Sequence, residues 1–208
     1  EALAAGLILL SGWDKKSHFV DGMCGSGTFL VEAAMIGANI PANINREHFA
    51  FQDWPDYDEE LWHLIRSSQL KRAQDCYGRV IGYDLNPDTV ASAKLNIANS
   101  GLEDYIEIHC ENFFETKKPE GPTHLVFNPP YGVRIQGDIP EMYKSIGDTL
   151  KKNYSGAEAW FLTSHMDGLK HVGLRASRKI EIYQAKLECR FVKYEMYQGS
   201  KKMKYKQV

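Results

Sequence analysis

The sequence predicts an α/β domain: a doubly wound, Rossmann-like sheet, mostly parallel, closed by a C-terminal antiparallel hairpin. Three observations carry this. Short apolar runs alternate along the chain with Ala- and Leu-rich helical stretches, the order that builds parallel strands with helices on both faces. The last two β-rich stretches, residues 178–183 and 186–197, are separated only by Gln184 and Ala185, which permits a hairpin and no crossover. The 208 residues, 43% hydrophobic and 25% charged, suffice for one sizeable core.

The elements follow in order. Residues 2–10 have helical character and stop near Ser11-Gly12. His18-Phe19-Val20 runs into Asp21 as a short buried strand, and residues 28–38, rich in Ala, Leu, Val and Met, continue as a helix. A second strand at 79–83 precedes a helix that opens at Pro87, a residue suited to a first turn, and stops at Ser100-Gly101. Residues 105–110 alternate as a strand, 123–127 form another, 140–152 a helix and 157–163 a further strand. An insert at approximately 39–78 separates the first helix of this alternation from the second strand. Its own helix starts after Asp56 or Asp58, with Glu59 and Glu60 in the first turn, where the helix dipole favours negative charge. Leu61, Leu64 and Ile65 make an apolar stripe on it. Phe49, Phe51, Trp54 and Trp62 read as a satellite cluster packing the insert onto the domain; stacking on RNA is the alternative use of such rings.

Composition excludes several classes. The apolar run from Leu3 to Leu10 is too short to span a bilayer and lacks the basic flank of a signal peptide. Cys24, Cys76, Cys110 and Cys189 form no CxxC pair and the seven histidines no HxxxH, so neither a metal site nor a disulfide framework is expected. A reducing, cytoplasmic setting follows. The chain opens at Glu1 in what reads as mid-helix, the expectation for a piece of a longer protein. Charge is uneven: residues 1–150 carry 12 Lys and Arg against 22 Asp and Glu, whereas residues 151–208 carry 13 against 5. That basic end suits a polyanion. Edge-strand protection and a solvated tail at Lys201, Lys202, Lys204 and Lys206 account for it equally simply.

The chemistry concentrates in Asn128-Pro129-Pro130-Tyr131-Gly132, directly after the apolar Leu125-Val126-Phe127. Two prolines remove two backbone N–H donors, so the local backbone offers carbonyl acceptors only. A residue before proline is pushed into extended conformation, which projects the Asn128 side chain off the strand end. Tyr131 adds an aromatic face of the kind that stacks on a base. Acceptors beside a stacking platform suit an exocyclic amine; a proline-stiffened loop with a buried Tyr reads equally from these five residues.

A second motif, Asp21-Gly22-Met23-Cys24-Gly25-Ser26-Gly27-Thr28, joins the first strand to its helix. Gly25 and Gly27 allow a sharp turn and close approach of a ligand. Leu30 occupies the third position of GxGxxG, so a pyrophosphate cradle is disfavoured, and an acid followed by a glycine loop suits S-adenosylmethionine better. Asp21 is then placed to receive the methionine ammonium. Asp84, ending the second strand and followed by Leu85 and Asn86, is placed to accept both ribose hydroxyls. In dinucleotide folds that acid lies about 20 residues beyond the glycines; here the insert lengthens the interval. Asn112 and Phe113 after the third strand flank the adenine in this reading, although Asn112 also reads as a turn residue, and the two acids as capping or turn groups.

A parallel sheet ending in an antiparallel hairpin is the layout of class I methyltransferases, whereas nicotinamide-binding domains keep their strands parallel. The chain resembles the THUMP-associated class I RNA methyltransferases, particularly the bacterial enzymes that methylate guanine N2 in large-subunit (23S) ribosomal RNA. The resemblance covers nearly all of residues 1–208, read as one catalytic domain. It rests on Glu1-Ala2-Leu3-Ala4-Ala5, residues 21–34, Phe49-Ala50-Phe51-Gln52-Asp53-Trp54-Pro55 with Leu61-Trp62, Ile81-Gly82-Tyr83-Asp84-Leu85-Asn86-Pro87, residues 128–134, and Gly173-Leu174-Arg175-Ala176-Ser177-Arg178. It departs from the family at Gly22, usually proline, and at Asn112, commonly an acid. The resemblance implies S-adenosylmethionine as cofactor, RNA as partner, and an N-terminal THUMP RNA-binding module that this chain lacks. In the mechanism these residues suggest, Asn128 and Pro129 accept the hydrogens of the amine beside Tyr131, and Arg134 either contacts the substrate backbone or makes a surface ion pair. Adenine N6 and transfer RNA guanine remain rival targets, and a catalytically silent RNA-binding domain is the rival of another class.

Overall fold

The computed structural model describes residues 1–44, 46–130 and 138–197. Twelve elements are used here: α1 (Ala2–Ser11), β1 (His18–Asp21), α2 (Thr28–Gly37), α3 (Glu59–Leu70), β2 (Val80–Asp84), α4 (Pro87–Asn99), β3 (Ile106–Cys110), β4 (Thr123–Phe127), α5 (Ile139–Asn153), β5 (Glu158–Thr163), β6 (Arg178–Gln184) and β7 (Leu187–Glu195). Local chemistry sets their ends. Gly12 stops α1 at φ 74°, and the Asn86 side chain accepts from Asp88 and Thr89 N–H to start α4 ahead of Pro87. Asp58 caps α3 by accepting from Leu61 N–H at 2.9 Å.

The strands form one seven-stranded sheet in the order β3-β2-β1-β4-β5-β7-β6. β1 to β5 pair in parallel, while β7 runs antiparallel to both β5 and β6. The hairpin turn is Ala185-Lys186, one residue later than the sequence suggested, with Ala185 taking the positive φ of 53°. From β1 the chain winds outward through β2 and β3, then returns to β4 on the other side. The order therefore reverses between β1 and β4, and the crevice over their carboxyl ends is where such sheets take ligands.

Both faces are packed. Leu7, Ile8, Leu30, Ala33, Ala34 and Ile97 from α1, α2 and α4 cover one face; Tyr143, Ile146 and Leu150 of α5, with Phe113 and Val172, cover the other. The period-two alternation of strands shows at β5 and β7, where Trp160 stacks on Phe191 at 4.6 Å on one face and Phe161 on Tyr194 at 5.4 Å on the opposite face.

The insert sits at the amino ends of the strands. Gln74 N–H donates to Ala38 O at the foot of α2, and Gly78 packs against Ser17, just before β1. Phe49, Phe51 and Trp62 contact one another with centroids 5.0–5.4 Å apart. Trp54 does not join them and stands 63% exposed. The apolar stripe of Leu61, Leu64 and Ile65 lies on α3 and faces solvent, and α3 has no buried residue. No helix among the described residues is long and apolar enough to cross a membrane.

Candidate active site

A cleft of about 1270 Å³ opens over the carboxyl ends of β1, β2 and β4. Its floor is the loop after β1, built by backbone bonds. Cys24 N–H donates to Tyr83 O at 2.9 Å, Gly25 N–H to Asp84 Oδ2 at 3.0 Å, and Gly27 N–H to Cys24 O at 2.9 Å. Gly25 and Gly27 adopt φ of 54° and 82°, a region that penalises side chains. A Cβ on Gly27 would press on Ala93 of α4, whereas one on Gly25 would meet nothing within 4 Å and would occupy the open cleft. α2 starts at Thr28 with no side chain capping it, which leaves its first N–H groups available to an anion.

Asp21 is 1% exposed. Its Oδ1 accepts from Met23 N–H at 3.1 Å, while its buried Oδ2 has no hydrogen-bond partner among the described residues. Burial pushes its pKa up to about 8; the Met23 bond opposes this and the charge of Asp84 adds to it. A buried acid with one orphan oxygen fits a cationic group, which would satisfy the oxygen and restore the charge. Asp84 is half-buried and more committed: besides Gly25, its Oδ1 accepts from Asn86 N–H at 2.9 Å. Each carboxylate oxygen keeps a second lone pair for hydroxyl donors. Leu85 beside it is 70% exposed, an apolar surface on the cleft wall.

Cys24, Asn112 and Phe113 also line the cleft, each with a local occupation. Burial raises the Cys24 thiol well above its ordinary range, so it stays protonated and is no nucleophile. Asn112 Oδ1 accepts from Phe114 N–H at 3.1 Å and its Nδ2 donates to Glu115, so its amide caps the short turn that follows β3. The ring of Phe113 is 3% exposed and packs against Phe127 and Tyr154 at 5.4 and 5.5 Å. Gly22 makes room for it: a Cβ there would lie 2.5 Å from that ring.

The neighbouring strand β4 delivers Asn128, Pro129 and Pro130 to the same cleft. Asn128 Oδ1 is buried and accepts no hydrogen bond among the described residues, so an acceptor lies in the lining of the same cleft that Gly25 lines. Pro129 is buried and Pro130 exposed. Tyr131 and Arg134 lie outside the described residues. The structure thus gathers Asp21, Cys24, Gly25, Thr28, Asp84, Leu85, Asn86, Asn112, Phe113 and residues 128–130 around one space, with Gly27 as the hinge beneath. Sequence reasoning missed Leu3, Ala4 and Leu7 of α1, Met142 of α5 and Gln184 of β6, which wall the far end. An all-apolar helix carries no signal that separates a cleft wall from core. No group of three or more metal-ligating side chains occurs among the described residues.

Comparison with known proteins shows the family. The chain is 33% identical over 200 residues to slr0064 of Synechocystis sp., covering 95% of this chain and 52% of that protein. It is 32% identical over 207 residues to the ribosomal RNA large subunit methyltransferase K/L of Shewanella sp. strain MR-4, covering 96% of this chain and 29% of that protein. The chain therefore spans about half of the first relative and under a third of the second. Among solved structures, SMU.472, crystallised with SAH, superposes with a TM-score of 0.88 at 33% identity, over 95% of this chain and 53% of that one. The fold is that of the class I methyltransferases. With residues 1–193 matched by the model of the RMKL-like methyltransferase domain, the chain belongs to that family.

Proposed function

We propose that the protein transfers the methyl group of S-adenosylmethionine to the exocyclic N2 amine of a guanosine in large-subunit ribosomal RNA. The observation that carries this is a pair of buried oxygens, both without a partner among the described residues, at neighbouring strand ends of one cleft. Asp21 Oδ2 awaits a cation, and Asn128 Oδ1 awaits a donor N–H. The name of the Shewanella relative and the SAH in SMU.472 support the same reading.

The cofactor, when bound, supplies an electrophilic methyl group on a sulfonium. Asp21 holds its ammonium group, the open N-terminus of α2 at Thr28 its carboxylate, and Asp84 its ribose hydroxyls. Leu85 and Phe113 pack against the adenine, with Asn112 at its edge and Asn86 fixing the turn between Asp84 and α4. Gly25 leaves the loop free of a side chain where the ligand must approach.

The guanine N2 lone pair is delocalised into the ring and is a poor nucleophile. Asn128 Oδ1 and the Pro129 carbonyl accept its two hydrogens, which directs the lone pair toward the methyl group. Pro130 keeps competing N–H donors away, Tyr131 stacks on the extruded base, and Arg134 meets the RNA backbone. Positioning does most of the work. With the cofactor bound, forming the N–C bond would break the sulfur–methyl bond and leave S-adenosylhomocysteine as a neutral thioether, and the acidified nitrogen proton would leave to water, so no strong base is required. A THUMP module in the complete protein supplies further phosphate contacts in this proposal, and a ribosomal target makes the site of action cytoplasmic.

The test is transfer of labelled methyl onto unmodified large-subunit ribosomal RNA, followed by digestion and mass spectrometry of the nucleosides. N2-methylguanosine is the expected product. N6-methyladenosine, methylation confined to transfer RNA, or stoichiometric cofactor binding without transfer would each displace the reading.

A further inference from the structure

The segment leaving β5 and the edge strand β6 gather positive charge on the sheet face that carries α5. Lys170, Lys179 and Arg190, far apart in sequence, converge with Met166 and Leu169 on one depression of about 280 Å³. Arg190 is held by Glu188 at 2.7 Å and Glu181 at 3.3 Å, and Lys170 by Asp167 at 2.7 Å. Arg175 and Lys179 are exposed and make no side-chain hydrogen bond or ion pair among the described residues; Arg178, in register with Lys193, lies on the opposite face with Ile180 and Ile182. Lys151 extends the patch, its Nζ lying against Gly173.

Three features separate this surface from ordinary edge protection. Strand protection calls for charges on the strand, yet Lys170 and Arg175 precede it. The patch also adjoins the cleft: Gly168 packs on the ring of Tyr143, whose hydroxyl bonds Thr163 at the carboxyl end of β5, and the neighbouring Met142 lines the cleft wall. Finally, residues 1–150 carry 12 basic against 22 acidic side chains, so a polyanion is repelled by most of the molecule and admitted here.

We propose that this surface grips the phosphate backbone of the RNA beside the nucleotide held in the cleft, an inference that rests on the RNA methyl-transfer reading above. Such contacts release counterions and carry a salt dependence of about 0.7–0.9 log units per phosphate. The test compares Lys170→Gln/Arg175→Gln/Lys179→Gln with a control that removes the same charge elsewhere, Lys15→Gln/Lys16→Gln/Lys71→Gln. Binding of an unmodified large-subunit ribosomal RNA transcript is titrated across a salt series, and steady-state methyl transfer is measured alongside. The patch variant is expected to lose about tenfold or more in RNA affinity near 0.1 M salt and to flatten the slope by about two. Its KM for RNA rises while kcat and S-adenosylmethionine affinity hold, and the control stays within twofold of the unaltered protein. Equal slopes in the two variants would overturn the patch. Absence of methyl transfer by the unaltered protein overturns the parent reading instead, a result independent of the binding comparison.

Discussion

Asp84 accepts the Gly25 N–H at 3.0 Å, which ties the loop after β1 to the carboxylate that ends the neighbouring strand β2. In the proposed reading, loop shape and ribose recognition share one side chain. Asp84→Ala removes both, and loss of a charged hydrogen bond corresponds to about 1.5–3 kcal/mol. S-adenosylmethionine affinity measured by calorimetry is expected to fall at least tenfold; an unchanged dissociation constant would take Asp84 out of the pocket.

Asp21 predicts a proton linkage. Its folded pKa of about 8 lies above the ordinary 3.8, so between these values the ligand-free fold holds a proton that the unfolded chain has released. Its contribution to ligand-free stability is then full below about 4 and declines as pH rises through about 8. An ammonium at Oδ2 reverses the preference, so cofactor binding near pH 7 releases close to one proton. Calorimetry in buffers of differing ionisation enthalpy reads this directly, and Asp21→Asn is expected to abolish the release and weaken binding.

Asn128→Ala separates chemistry from cofactor affinity. The Oδ1 acceptor disappears while the ammonium, ribose and loop contacts of the proposed reading are untouched. Turnover is expected to drop by about a hundredfold or more, the scale of a lost preorganised polar group, with S-adenosylmethionine affinity within twofold. Full activity in this variant would remove the acceptor role.

Gly22 and Phe113 form a steric pair. A methyl group at position 22 would lie 2.5 Å from the Phe113 ring, inside a core already filled by Phe127 and Tyr154. Gly22→Ala is expected to destabilise the fold by about 1–3 kcal/mol in urea unfolding. Adding Phe113→Leu recovers part of that loss, so the two changes are non-additive.

His124 sets acid sensitivity. It is 4% exposed on β4, its Nε2 2.8 Å from Ser11 Oγ of α1, with Glu158, Lys193 and Asp14 around it. Burial lowers its pKa from 6.5 to about 4, opposed by Glu158. Within that interval the unfolded chain binds the proton and the fold does not. The stabilisation is complete above about 6.5 and is lost as pH falls toward about 4, by about 3 kcal/mol. His124→Gln is expected to flatten this part of the stability profile.

Much of this was legible from the chain alone where the governing physics is local. Proline and glycine restrict dihedrals at fixed positions, so Pro87, Gly101 and the two-residue hairpin connection announced helix and strand boundaries. Asn112 was half legible: residue type and place after a strand suit both a ligand contact and a turn, and only the coordinates reveal that its amide caps the turn to Phe114. The α3 stripe was legible as a face, but an apolar period does not say whether anything covers it.

The sequence by itself determined the alternation of elements, the antiparallel close, and the placing of Asp21, Asp84 and Asn128 at strand ends, since periodicity and backbone sterics act within a few residues. Tertiary structure alone decided that β1 lies between β2 and β4, that α1 walls the cleft, and that Lys170, Lys179 and Arg190 meet. It also decided which oxygens of Asp21 and Asn128 have no partner among the described residues. Desolvation and long-range pairing depend on neighbours distant along the chain, and those neighbours exist only once the sheet has closed.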